Sequence, residues 1–255
     1  MTREPSFEVV TADGTEPGSR LLVGTAGVGV AGLTAADHFV THAETERLGH
    51  VRSRNLPDIT PFTDGQPRHP IRLYGVPDAD VTVLVSEVFF PVEVADPLAD
   101  ALFDWADERG IEETTVLHGA PFPHSETEHR VFHVATEAYR SRHFPEEEPD
   151  IGPLAGGFFD GVVGELLARS LDGDAPPAGV LVTPTHLPGP DFDAALRLLD
   201  ALEPVYGIEV DESALRERAA ETKQYYADLA ERMAALQEGT SGGDGREYPG
   251  DRMYM

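Results

Sequence analysis

Two kinds of hydrophobic pattern alternate along this chain. Short apolar runs predict strands, and the clearest are Val81–Val85 (VTVLV) and Gly179–Thr183 (GVLVT). Runs of this kind are typical of strands that are buried on both faces of a sheet. Further strands are predicted over Phe7–Val10, Leu21–Val23, His50–Ser53, Ile71–Tyr74, Thr114–Leu117 and Val131–Val134.

Apolar residues at helical spacing predict helices between these strands. Leu98, Leu102 and Trp105 predict a helix over Asp96–Arg109 that ends at Gly110. Other helices are predicted from the glycine-rich turn Gly24–Gly32 to about Val40, over Gly156–Leu171, and from a cap at Asp191 to about Leu202. Strands separated by helices predict an α/β fold, with a mostly parallel central sheet flanked by helices.

The last predicted helix runs from about Glu212 to Glu238 and would be about 40 Å long. Apolar or small residues follow a heptad spacing along it, at Leu215, Ala219, Thr222, Tyr226, Leu229, Met233 and Leu236. Either the whole helix packs on its own domain, or its outer half contacts another subunit. We expect residues 1–238 to form one α/β domain that includes this helix. Residues 239–255 are mostly polar and include five glycines, so we expect a flexible tail there.

The charge balance is strongly acidic. The sequence contains 46 Asp and Glu against 19 Lys and Arg, for a net charge of −27, and its one lysine is Lys223. This composition resembles the proteins of extreme halophiles, in which hydrated carboxylates maintain solubility and concentrated salt screens their repulsion. It argues against nucleic-acid binding, which needs basic surfaces.

Several other protein classes are excluded by what the sequence lacks. It has no cysteine, which excludes disulfides, thiolate metal sites and cysteine nucleophiles. No signal peptide is apparent, and no apolar run is long enough to span a membrane. We therefore expect a cytoplasmic protein that binds neither membranes nor nucleic acid.

The sequence ends in Met253, Tyr254 and Met255. A hydrophobic residue, a tyrosine, any residue and a free carboxylate resemble the HbYX tail by which proteasomal ATPases and some assembly chaperones dock on the 20S proteasome. That resemblance implies that Tyr254 fills a pocket between α subunits and that the Met255 carboxylate pairs with a basic side chain. A tyrosine offers a large apolar face and one hydroxyl, which suits such a pocket.

A glycine-rich turn is the main candidate for a small-molecule site. Gly27, Gly29 and Gly32 fit G-x-G-x-x-G between a predicted strand and a predicted helix, and Gly24 precedes them. In a dinucleotide fold such glycines let the backbone approach a pyrophosphate. The acid expected at the end of the next strand is replaced by Arg52 and Arg54, which leaves an NADP interpretation open.

A second interpretation of the turn comes from a resemblance that covers about residues 21–235. The blocks LLVGTAGVGVAGLTAADHFV, SRNLPDITPFTDGQPRHPIRLYGVPDADVTVLVSEVFFP, DWADERGIEETTVLHGAP and GPLAGGFFDGVVGELLARSLDGDAPPAGVLVTPTHLPGPDFDAALRLLDAL follow one another as in the proteasome assembly chaperone 2 family. The resemblance implies a phosphorylase- or hydrolase-like α/β core, homo-oligomers, and 20S proteasome α subunits as partners. With the acidic composition and the tail, it implies an archaeal, haloarchaeal-type member. The family's first turn often reads Gly-Phe-Pro-Gly, whereas this chain has Gly24-Thr25-Ala26-Gly27, which puts any function of the turn in doubt.

No catalytic motif is recognised, so we predict no catalytic residue, cofactor or metal. Histidines are concentrated at His118, His124, His129, His133 and His143. His129 and His133 would share one face of a strand or helix, as zinc ligands do, and Glu126 or Glu128 would suit acid–base work. Polar neighbours and an unfamiliar spacing favour solvated histidines instead. The acidic pair Glu112-Glu113 is expected at the surface.

These observations favour a proteasome-associated assembly chaperone or adaptor that docks through Met253, Tyr254 and Met255. The alternative is a phosphate- or nucleotide-binding enzyme of phosphorylase, hydrolase or ligase type that uses the Gly24–Gly32 turn.

Overall fold

One large β-sheet organises the chain. The computed structural model describes residues 4–12, 14–125, 129–146, 150–186 and 189–241, with side chains as far as Met233. The strands in these residues are β1 (Ser6–Thr11), β2 (Arg20–Thr25), β3 (Glu46–Arg54), β4 (Phe62–Thr63), β5 (Gln66–Pro67), β6 (Ile71–Val76), β7 (Val81–Ser86), β8 (Glu113–Ala120), β9 (Phe132–Ala135) and β10 (Ala178–Pro184). The large sheet has the order β1-β3-β6-β7-β2-β8-β10-β9, and β4 and β5 form a separate hairpin.

The predicted α/β class is confirmed, but the sheet is mixed and not mostly parallel. Its centre is parallel, because β7, β2, β8 and β10 run side by side in one direction. The outer strands β1, β3, β6 and β9 pair antiparallel with their neighbours. Connection length explains the difference between β6 and β7: only residues 77–80 join them, too few for the crossover that a parallel pair requires.

Helices cover both faces of the sheet. They are α1 (Ala31–His42), α2 (Ala95–Arg109), α3 (Glu137–His143), α4 (Gly161–Asp172), α5 (Phe192–Asp200), α6 (Leu202–Tyr206) and α7 (Ser213–Ser241). Helices α1 and α5 pack together on one side, and α2 and α4 pack together on the other. Each pair of helices encloses a hydrophobic core against the sheet. Along β2, Leu22 lies in the core beneath α1 and α5, whereas Leu21 and Val23 lie in the core beneath α2 and α4. Every residue of β7 and β10 is buried, which confirms that these strands lie between two layers.

Helix ends agree with the sequence where a capping residue marks them. Gly110 ends α2 with a φ of 70°, and its N–H donates to the carbonyls at the end of that helix. Asp191 begins α5, where its side chain accepts a hydrogen bond of 2.9 Å from the Ala194 N–H. The helix predicted from Gly156 begins only at Gly161, because Gly157 has a φ of 149°, outside the helical region.

The two halves of α7 differ in burial. Leu215 and Ala219 are 1% and 6% exposed, whereas Leu229 and Met233 are 39% and 56% exposed. Helix α7 runs to Ser241, and residues 242–255 lie outside the described part of the chain. Among the described residues, no helix combines the length and the apolar character needed to cross a membrane.

Candidate functional site

The carboxyl ends of the central parallel strands meet at one edge of the sheet, the usual position of a ligand site in an α/β fold. The glycine-rich turn follows β2, and the segments after β8 and β10 lie beside it. Backbone hydrogen bonds connect them: the Asp191 N–H donates to Gly29 O at 2.9 Å, and the Thr185 N–H donates to Ala120 O at 3.0 Å. This edge is therefore where the candidate glycines and several histidines come together.

Gly24 and Gly32 are required by packing between helix α1 and the sheet. A methyl group at Gly24 would overlap the side chain of Ala36 on α1, and one at Gly32 would overlap the backbone carbonyl of Leu117 on β8. The two glycines therefore let α1 lie close against β2 and β8. This close approach accounts for both residues without a ligand.

Gly27 and Gly29 differ from each other. Gly29 has a φ of 68°, and a Cβ there would lie 3.1 Å from the Cβ of Thr185. Gly27 has extended backbone, and the nearest atom to an added Cβ would be the His118 ring at 3.9 Å. Val30 follows with a φ of 45°, a strained conformation for a β-branched residue, immediately before α1. Conformation and packing thus explain Gly29, while Gly27 has room around it.

The arginines that left an NADP site open lie elsewhere. Arg52 and Arg54 are on β3, which is separated from β2 by β6 and β7. Both pair with Glu8 on β1, at 3.4 and 3.3 Å. In a dinucleotide-binding unit, the strand that carries the ribose-binding residue lies beside the strand that precedes the glycines. In this sheet β3, which carries Arg52 and Arg54, is not beside β2, so these arginines do not complete a dinucleotide site at the glycine turn.

His133 has a structural position. It lies on β9, is 4% exposed, stacks on Phe144 with ring centroids 4.2 Å apart, and donates from Nδ1 to Ile151 O at 2.7 Å. Burial lowers the pKa of His133, against the effect of its backbone hydrogen bond. The solvated position that the sequence favoured for His133 is therefore wrong, because β9 turns this side chain into the core, and the alternative of a zinc site shared by His129 and His133 is not supported.

His143 belongs to an ionic cluster at the opposite end of β8. The Glu113 carboxylate is 1% exposed and lies 3.0 Å from His143 Nε2 and 2.5 Å from an Arg142 guanidinium nitrogen. Burial opposes ionisation of Glu113, but hydrogen bonds from His143 and Arg142 outweigh it and lower the pKa of the carboxyl. The surface position expected for Glu113 is wrong, because these partners allow the charge to be buried.

His118 is the histidine nearest the glycine turn. It lies at the carboxyl end of β8, and its ring meets Phe159 edge-on at 5.5 Å. Burial lowers the pKa of His118, while the nearby Asp160 opposes that shift. These contacts favour the neutral imidazole, and they show that His118 is not the solvated residue that the sequence favoured.

Three other histidines converge at the same edge. His124 Nε2 lies 2.8 Å from His129 Nε2, which lies 3.3 Å from His186 Nε2. Sequence reasoning missed His186, which is 57 residues from His129. The signal that would have found it is the pairing of β8 with β10, since a histidine follows each strand at the same end of the sheet. Glu126 and Glu128 lie outside the described residues.

A second concave surface, of about 760 Å³, lies beside β3 and the segment after β7. Apolar side chains form much of its lining, and Phe89 and Ile59 in it are 64% and 53% exposed. Exposed apolar groups in a cluster are typical of a surface that contacts another protein. The predicted docking residues Met253, Tyr254 and Met255 lie outside the described residues.

Comparison with known proteins identifies relatives of this fold. The model of the PAC2 family matches residues 21–230, and no curated protein matches the sequence. The structure of Pyrococcus furiosus PbaA, an archaeal homolog of proteasome-assembly chaperone, superposes with a TM-score of 0.78 at 20% identity, covering 92% of this chain and 96% of PbaA. Pyrococcus furiosus PbaB, an archaeal proteasome activator, gives 0.73 at 20% identity, with coverage of 88% and 99%. A Thermoplasma acidophilum protein of unknown function gives 0.71 at 25% identity, with coverage of 89% and 92%.

Proposed function

The chain belongs to the PAC2 family, and from this premise we propose that it is a proteasome-associated assembly chaperone or adaptor. It docks on the α ring of the 20S proteasome through Met253, Tyr254 and Met255. It works in the cytoplasm, as an interaction protein without a catalytic step. The observation that carries the proposal is the hydrophobic-tyrosine ending on a chain whose fold matches two proteins connected with the proteasome.

The proposed docking follows from the chemistry of the last residues. Tyr254 would bury its ring in an apolar pocket, and the Met255 carboxylate would form a charge-assisted pair with a basic side chain. The glycine-rich segment 242–255 follows the end of α7 at Ser241, and its fourteen residues can reach at most roughly 50 Å. Ordering such a segment costs affinity, so a single tail would bind weakly.

Several tails on one oligomer would compensate for weak individual binding. We propose that the outer half of α7, where Tyr226, Leu229 and Met233 are exposed, contacts another copy of the chain. Once one tail is bound, the others meet their pockets at a high effective concentration. Oligomerisation and docking are then linked, although the residues for each are separate.

The structural role of the glycines supports an interaction function over an enzymatic one. Gly24, Gly29 and Gly32 are accounted for by close packing or backbone conformation, so the turn requires no phosphate to explain it. The apolar groove that contains Phe89 also suits contact with a protein.

The test is binding to purified 20S proteasome from the same source, at the salt concentration in which the protein is folded. The matched pair of variants is Tyr254→Ala and Tyr248→Ala, because both remove a tyrosine ring from the same segment. We expect Tyr254→Ala to weaken binding by about 30-fold or more, as for a buried aromatic anchor. Tyr248→Ala should bind as the unaltered chain does.

A further variant tests the carboxylate by adding one glycine after Met255. It keeps every side chain but moves the terminal charge away from Tyr254, and it should lose binding to a similar extent. Equal binding by the unaltered chain, Tyr254→Ala and the extended chain would refute docking through the tail. Size-exclusion chromatography of each variant should show an unchanged oligomer, which separates docking from assembly.

A further inference from the structure

The proposed docking through Met253, Tyr254 and Met255 assigns no role to the histidine cluster at the carboxyl edge of the sheet. His124 belongs to the segment after β8, His186 to the segment after β10, and His129 lies between β8 and β9. The ligand atoms of the three residues all lie within 4.8 Å of one another. Separate parts of the chain therefore bring three imidazole nitrogens to one point.

Hydrogen bonds at the opposite ring nitrogens fix the orientation of two of these imidazoles. His124 Nδ1–H donates to Phe122 O at 2.7 Å, and His186 Nδ1–H donates to Asp191 Oδ2 at 3.3 Å. A neutral imidazole carries one N–H, so both Nε2 atoms present a lone pair to the cluster. A single Nε2–H on His129 can donate to only one of these lone pairs at a time, whereas one cation could be bound by all three Nε2 atoms.

The partners of His124 and His186 are the kind that support metal ligands. A histidine ligand normally donates its other N–H to a backbone carbonyl or a carboxylate, which fixes the ring and increases its basicity. Asp191 is itself held firmly: its side chain is 9% exposed, Oδ1 accepts from the Ala194 N–H, and Oδ2 also accepts from the His186 backbone N–H at 2.9 Å.

Two of the three nitrogen separations are close to those of a zinc site, and the third is no more than 4.8 Å. Zn–N bonds of 2.0–2.1 Å in a tetrahedron give nitrogen separations of about 3.3 Å. The His129–His186 separation is 3.3 Å, and the His124–His129 separation of 2.8 Å needs only a slight opening of two side chains. Imidazole selects borderline ions such as Zn²⁺ over Mg²⁺ and Ca²⁺, which prefer oxygen. Since the His186 side chain is 59% exposed, an ion can reach the site from solvent.

We propose that His124, His129 and His186 form a Zn²⁺ site, with Asp191 positioning His186. The ion connects the segments after β8 and β10, and this connection extends to α7. Gly189 lies so close to Tyr226 on α7 that an added Cβ would be 2.5 Å from the tyrosine hydroxyl. His186, Asp191 and Tyr226 also line one cavity of about 270 Å³. Zinc therefore fixes the segment against which the middle of α7 packs.

The test is a calorimetric titration of Zn²⁺ into the full chain, prepared without a histidine tag and freed of metal with a chelator. Excess Mg²⁺ in the buffer occupies surface carboxylates, which would otherwise bind zinc weakly. We expect one Zn²⁺ per chain and an increase in Tm on binding. Replacing bound Zn²⁺ with Co²⁺ should give the visible absorption of a tetrahedral centre.

Variants on both segments identify the ligands. His124→Ala and His186→Ala should each weaken Zn²⁺ binding by more than the roughly 10–100-fold that the loss of an outer partner costs. The matched control is His69→Ala, because His69 is also exposed and stacks on a second histidine, His50, with centroids 3.6 Å apart. His69→Ala should bind zinc as the unaltered chain does.

Asp191→Asn tests the positioning role. Asparagine also caps helix N-termini, so α5 should remain intact while the carboxylate beside His186 is lost. We expect zinc affinity to fall by about 10–100-fold in a metal-free variant that still folds. Circular dichroism of every metal-free variant verifies folding.

Two results would overturn the proposal. One is the absence of a one-to-one Zn²⁺ complex in the presence of excess Mg²⁺. The other is equal zinc affinity in the unaltered chain, His124→Ala and His186→Ala. Proteasome binding is measured separately on the metal-free protein, so failure of the zinc site leaves the docking proposal untouched and failure of docking leaves the zinc site untouched.

Discussion

The space around each glycine of the turn indicates whether packing requires a glycine there. At Gly32 a methyl group would occupy the space of the Leu117 carbonyl oxygen, whereas at Gly27 the nearest atom would be 3.9 Å away. Both residues belong to the same G-x-G-x-x-G pattern, so the sequence gives them equal weight. The two interpretations of the turn therefore differ in a measurable way, since packing singles out Gly32 and phosphate binding would also use Gly27.

We predict that Gly32→Ala destabilises the fold by about 1–3 kcal/mol, because α1 must move away from β8 to accommodate the methyl group. Gly27→Ala should be close to neutral, since its backbone is already extended and its surroundings are open. Denaturant unfolding of both variants, monitored by circular dichroism, makes the comparison. If Gly27→Ala lowered the free energy of unfolding as much as Gly32→Ala does, the packing explanation would be contradicted.

Buried polar residues show why residue type alone is a weak guide to position. The sequence placed Glu113 on the surface because most acids in this chain are solvated, yet it is 1% exposed beside His143 and Arg142. Those partners come from α3, a helix that the hydrophobic pattern did not indicate. A carboxylate can be buried where such partners compensate its charge, and their positions depend on tertiary structure.

At the scale of elements, local patterns predicted the central strands and the capped helices. The apolar runs of β7 and β10, the end of α2 at Gly110 and the cap of α5 at Asp191 all appear in the structure. The direction of the outer strands did not follow from local pattern, because it depends on which strands become neighbours. The proximity of His186 to His124 and His129 likewise depends on the pairing of β8 with β10, which local sequence pattern does not reveal.

At the scale of elements, we predict how charged substitutions in the outer half of α7 affect association between subunits. Replacing Leu229 and Met233 together with glutamate should dissociate the proposed oligomer, because the change places charge on the exposed apolar half of the helix. The matched control changes Gln224 and Ala227, also exposed on the outer half of α7, to glutamate, so that it too adds two negative charges. Light scattering coupled to size-exclusion chromatography gives the mass of each species.

The fold of the subunit should survive the charged α7 variant, since Leu215 and Ala219 provide the buried contacts of α7 with the core. A lower mass with an unchanged circular dichroism spectrum is the expected result. An unchanged mass, or an equal decrease in the control, would remove the outer half of α7 from the proposed interface. Under the proposed docking, a dissociated variant should bind the proteasome more weakly, because it would lose the contribution of several tails.

The charge of the whole molecule determines how it responds to salt. Carboxylates greatly outnumber basic groups, and one guanidinium can form ion pairs with several of them. Arg169 contacts Asp96 and Asp100 at 2.5 and 2.6 Å and lies 3.9 Å from Glu165. Exposed pairs of this kind stabilise a fold only slightly. The net charge of −27 remains as repulsion across the surface, and folding brings those charges closer together.

We predict that the Tm rises steeply with KCl, by about 10 °C or more between roughly 0.1 and 1 M, where the screening length falls from about 10 to 3 Å. Salt also strengthens burial of apolar groups, so a matched series in sucrose serves as the control, because sucrose is excluded from the surface without screening charge. Differential scanning calorimetry of the full chain in both series separates the effects. If repulsion among the carboxylates limits stability, most of the increase in Tm occurs below about 1 M KCl. Sucrose should then not produce an equal increase in Tm. A Tm that is unchanged or lower in KCl would show that the acidic surface does not limit the stability of this fold.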